Sequence, residues 1–113
     1  MVKYVLNSNL TKGDLQSVSG NGYTVYYRKL SGNFYYICLD KTLASVGETR
    51  EFTILTLPIK PIHDFIIPLS VHVAGFPVGM GRIMVATNGN VTISCTAYSN
   101  SVTLSATGII CVA

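Results

Sequence analysis

The chain has 113 residues, enough for one domain with a real core, and only 12% of them are charged. Eight Lys and Arg against five Asp and Glu leave a net charge of +3, and the basic residues never cluster, which excludes the basic footprint of a nucleic-acid-binding protein. After Asp64 the remainder of the chain carries a single formal charge, Arg82. Charged residues are rarely buried, so a long charge-free half lies in lipid, in a core or against another subunit. Prolines at 68 and 77 and glycines at 75, 79 and 81 interrupt it, and no run reaches the roughly 20 apolar residues of a membrane helix. No membrane insertion is expected. A membrane β-barrel would need at least about eight strands with aromatic girdles, and the chain lacks Trp. The expectation is a β-domain that buries much of its surface by oligomerising.

In chain order, residues 2–6 read as a short strand, residues 7–14 as turns, and residues 15–18 as a further strand. Tyr23–Lys29 and Phe34–Leu39 form the first clear hairpin, joined through Ser31-Gly32-Asn33. The second arm is apolar on both faces, which predicts a packing partner on each. Residues 40–50 read as a polar connection and Glu51–Leu57 as a strand. Pro58–Pro61 cannot be regular sheet, because neither proline has an N–H to donate. Residues 64–74 alternate with Phe65, Ile67, Leu69, Val71 and Val73 on one face, and Pro68 predicts an edge or bulge. Gly75–Gly81 reads as a loop without the Lys-Ser/Thr ending of a phosphate-binding loop. Gly81–Thr87 and Asn90–Tyr98 flank Asn88-Gly89, which predicts a two-residue hairpin turn with both central residues at positive φ. Val102–Ser105 and Gly108–Val112 close the chain. No segment carries a convincing helical stripe. Short strands at this spacing predict an all-β antiparallel sandwich or jelly roll of about 8–10 strands. The organisation expected is an N-terminal strand and connector over residues 1–20 and a head domain over 21–113.

The three cysteines, Cys38, Cys95 and Cys111, are widely spaced and match neither a disulfide framework nor a zinc site. They read as small apolar residues of a chain made in a reducing cytoplasm, since the N-terminus lacks a signal peptide's apolar core. No metal, cofactor or catalytic constellation is expected. His63 and Asp64 are neighbours, and neighbours on a strand face opposite ways. His72 lies roughly 26 Å from Asp64 along a strand at about 3.3 Å per residue. The chain therefore reads as a non-enzyme. For sugar recognition the useful groups are aromatic faces and planar polar side chains, and His63, Asp64, His72, Arg82 and Tyr98 are the candidates. Arg82 reads as a solvent-facing strand start, as a partner for a carboxylate such as Asp64, or as a ligand contact. The tyrosines at 23, 26, 27, 35 and 36 read as core and subunit contact or as a sugar platform.

The order of these elements resembles the C-terminal head domains of tail-fibre and baseplate receptor-binding proteins from phages and prophages of Gram-positive bacteria. The resemblance is carried by Tyr26-Tyr27-Arg28-Lys29 leading to Ser31-Gly32-Asn33-Phe34, then Thr56-Leu57-Pro58 with Pro61, then Ile67-Pro68-Leu69, then Gly81-Arg82-Ile83-Met84-Val85 with Asn88-Gly89-Asn90-Val91, and an apolar last strand. It spans about residues 20–113. The family's Leu-Pro-Gly-aromatic-x-Pro run is Leu57-Pro58-Ile59-Lys60-Pro61 here, without the glycine and aromatic. The resemblance implies a homotrimeric head at the virion tail tip, partnered by other tail or baseplate proteins and binding a host cell-surface saccharide. Two alternatives share its fold and trimeric state: a purely structural trimerisation cap, and a secreted jelly roll like tumour necrosis factor or complement C1q.

Overall fold

The computed structural model describes residues 14–43, 49–97 and 100–113. The strand expected at residues 2–6 lies outside them. Eight strands are present among the described residues: β1 (Gln16–Gly20), β2 (Tyr23–Ser31), β3 (Phe34–Leu43), β4 (Thr49–Thr56), β5 (Phe65–Val73), β6 (Phe76–Val85), β7 (Asn90–Cys95) and β8 (Val102–Cys111). The all-β antiparallel class and the strand number agree with expectation. The strands form one antiparallel sheet in the order β1-β2-β3-β8-β5-β6-β7-β4. Strand β1, in the segment read as a connector, pairs along its whole length with β2.

The sheet curls until its two end strands meet. Among the described residues no ladder joins β1 to β4, but Asn21 Nδ2 donates to Ile54 O at 2.9 Å across the gap. At that seam a Cβ on Gly20 would lie only 2.7 Å from the same carbonyl oxygen. The result is a nearly closed, flattened barrel. Alternation fills its interior: Val25, Ile37, Leu39, Ile54, Val71, Ile83, Val85, Val91 and Leu104 are all fully buried. Each such side chain stabilises by about 1.5–3 kcal/mol relative to exposure. Ile54 and Leu55 are consecutive yet both buried, because a bulge between Thr53 and Leu55 re-aims the strand. No polar side chain is buried among the described residues.

Turn chemistry departs from expectation at three places. Asn21-Gly22, between β1 and β2, is the two-residue turn with both residues at positive φ (51° and 81°). The Asn88-Gly89 turn is longer than expected. Ala86 N donates to Asn90 O and Gly89 N to Ala86 O, leaving a three-residue loop in which only Gly89 has positive φ. The Gly75–Gly81 segment is not a loop but most of β6. Ala74 and Gly75 form the tight turn, at φ 49° and 86°, and the chain returns along β5. Pairing with β5 from Phe76 through Gly81 overrides the segment's weak local strand propensity. The polar connection is also shorter than expected, since β3 pairs with β8 as far as Leu43.

Pro68 is accommodated as expected of an edge. The β5–β8 ladder begins only at Leu69, so at Pro68 the strand has β6 alone beside it. Pro58–Pro61 stays outside the strands apart from one bridge, Pro61 to Val112. It crosses one end of the barrel as a strap, held by Leu57 N to Gly89 O (2.8 Å), Ile62 N to Cys111 O (3.0 Å) and Ala113 N to Lys60 O (3.3 Å).

Candidate binding surfaces

The sequence-predicted contact residues do not converge. His63 and Asp64 sit where β5 begins, and His72 lies near its other end. His63 stacks on Phe65 with ring centroids 4.1 Å apart, and its Nδ1 lies 2.9 Å from Asp64 O. Asp64 Oδ1 accepts a hydrogen bond from Thr87 N at 3.2 Å, tying the start of β5 to the β6–β7 turn. His72 Nδ1 lies 3.4 Å from Ser70 Oγ on the same strand face. Tyr98 lies outside the described residues.

Arg82 is engaged by a carboxylate, but the partner is Glu51 and not Asp64. The cause is a bulge in β4 between Thr49 and Phe52, where Glu51 takes φ 52° and its N–H donates to Ser94 Oγ at 2.9 Å. Arg82 and Ser94 are cross-strand neighbours on β6 and β7, so the bulge delivers the carboxylate directly over them. Sequence spacing cannot reveal a bulge of this kind, since it depends on which strand β4 joins.

Two features carry chemistry instead. The first is the open barrel end beside the Pro58 strap. A concavity of about 240 Å³ is lined by Asp14, Gln16, Tyr27, Lys29, Tyr35, Pro58 and Ile59. Register assembles it: Gln16 lies opposite Tyr27, and Lys29 opposite Tyr35. Tyr27 is buried as the floor and Tyr35 is half-buried against the core. Their ring centroids are 6.4 Å apart at 42°. The sequence does hold a signal for this mouth. Lys29 continues the inward phase of Val25 and Tyr27, and a charge on the inward phase at a strand end marks a rim.

No family model and no curated protein matches this chain.

The second feature is the outer face of the sheet. On β5 and β6, Ile66, Phe76 and Met80 are 64%, 74% and 72% exposed, and Val78 is exposed beside them. A further apolar group on β3 and β8 pairs Phe34 with Cys111 and Tyr36 with Ile109. There Phe34 and Ile109 are exposed while Tyr36, Cys38 and Cys111 are half-buried. The Tyr36 phenol is held above its ordinary pKa, first by hydrogen bonding with Cys38. The expectation that β3 is apolar on both faces holds for composition, but the monomer covers only the inner face. All three cysteines are free thiols, and only Cys95 is fully buried. No group of three metal-ligating side chains forms among the described residues.

Proposed function

We propose that this chain is a non-enzymatic adhesion head, homotrimeric, at the tip of a phage or prophage tail appendage, where it recognises a host cell-surface saccharide. One observation carries the assembled state. The outer face of β5 and β6 exposes Ile66, Phe76, Val78 and Met80. Residues 65–81 contain no Asp, Glu, Lys or Arg, and the Arg82–Glu51 pair reaches that face opposite Pro68, between Ile66 and Met80. Exposed apolar surface of this kind, with Phe76, Val78 and Met80 along β6, marks an interaction site on a small domain. The ordered motif set from Tyr26 to Val91 supports placing the head on a tail appendage.

Light scattering on the eluting protein tests the assembly. A mass near three times 12.2 kDa is expected. A stable monomer at micromolar concentration would remove the trimer and with it the tail-tip assignment. Pull-down on purified host cell walls tests adhesion.

The purely structural cap is favoured by one observation, the scatter of His63, Asp64, His72 and Arg82 over the two ends of β5 and over β6. A trimer that retains no saccharide on a broad glycan array would select it.

A further inference from the structure

We infer that the open barrel end beside the Pro58 strap is a saccharide subsite that holds a single pyranose ring. This inference rests on the adhesion reading and gives it a location.

The chemistry of the lining selects the ligand. Tyr27 and Tyr35 offer aromatic carbon, and Gln16, Asp14 and Lys29 offer an amide, a carboxylate and an ammonium around it. A pyranose has the matching pattern, with C–H groups on its faces and hydroxyls at its edge. The two rings are tilted by 42°, so they form a floor and a wall rather than one platform. One carboxylate and one ammonium in the lining leave no net charge, which disfavours phosphate-rich ligands. The space of about 240 Å³ is below the roughly 300–1,000 Å³ of sites for larger organic ligands, so it takes one ring of a longer glycan.

The site is also preorganised. Gln16, Tyr27, Lys29 and Tyr35 sit on paired strands, and the strap that carries Pro58 and Ile59 is pinned at Leu57, Lys60 and Ile62. Groups on rigid elements lose little conformational freedom when a ligand binds.

The test is an array of neutral, N-acetylated and acidic mono- and oligosaccharides, followed by calorimetric titration of the strongest binder. The variants are Gln16→Ala and Lys29→Ala, both exposed and outside the core, and Tyr35→Phe, which keeps the packing and removes the hydroxyl. Arg82→Ala on the outer face is the control. The expected result is about tenfold weaker binding for Gln16→Ala and Lys29→Ala with Arg82→Ala unchanged. Binding that survives both mouth variants would overturn the subsite and leave the adhesion reading standing. A trimer that binds nothing on the array would overturn both.

Discussion

Gly89 occupies a position that no other residue fits without cost. Its φ is 91°, and a Cβ there would lie 2.3 Å from Leu57 O. That carbonyl belongs to the strand end from which the Pro58 strap departs, so the turn and the strap are packed together. Gly81 is similarly constrained by proximity alone, since a Cβ would meet Ser94 O at 2.1 Å and Cys95 Cα at 2.7 Å. Gly89→Ala and Gly81→Ala are each expected to destabilise by about 1–3 kcal/mol or more, read as a lower urea midpoint at unchanged m-value. Tyr23 makes a second prediction at this scale. Burial, and secondarily Cys95, pushes its phenol above the ordinary value of 10.0. The unfolded chain then releases the proton first. The stabilisation is present in full below about pH 10 and is lost as pH rises through the folded-state value. Tyr23→Phe should flatten the decline in thermal midpoint above pH 10 without altering it at pH 7.

Within elements, phase decides the effect of a substitution. On β3 and β8, Ile37 and Ile110 face the core and are almost wholly inaccessible, whereas Ile109 is 58% exposed. An aspartate at Ile37 or Ile110 would bury an unpaired charge and is expected to unfold the monomer. The whole stability of such a domain is about 5–15 kcal/mol. Those positions therefore cannot probe an interface, although apolar alternation alone marks both strand faces as equally suited to a partner. Ile109→Asp should leave the fold intact, with circular dichroism and melting close to the unmodified protein. The bulge in β4 sets a smaller term. Glu51 is mostly solvent-accessible and Arg82 is half-buried beside it, so Glu51→Ala should cost about 1 kcal/mol, and that cost should shrink in high salt.

For the whole molecule, the outer face of β5 and β6 is the feature that a monomer leaves open. Phe76→Asp and Met80→Asp place charge on side chains that touch solvent and not the core. They are expected to convert a trimer to a monomer by light scattering while the far-ultraviolet circular dichroism stays that of an all-β chain. Loss of secondary structure in those variants would instead mean that the face contributes to the fold itself. The barrel mouth lies on strand ends from β1, β2 and β3, and β5 and β6 lie on the other side of β8 in the sheet order. Saccharide binding and assembly are therefore expected to be separable by mutation.

The sequence by itself determined the all-β class, most strand positions and the inward row of β5. Period-two alternation is a local property, and a buried face enforces it residue by residue. It also made the proline strap legible, because a missing N–H excludes regular pairing wherever the chain goes. Only the tertiary structure decided which strands are neighbours, and everything that depends on neighbours followed. Glu51 reaches Arg82 because β4 pairs with β7 across a bulge. The Gly75–Gly81 segment is a strand because β5 pairs along it. Asp14, Gln16, Lys29 and Tyr35 share a mouth because β1 and β3 both pair with β2. These are contacts between residues far apart in sequence or across a register. Their energies depend on long-range closure of the sheet, which no local pattern encodes.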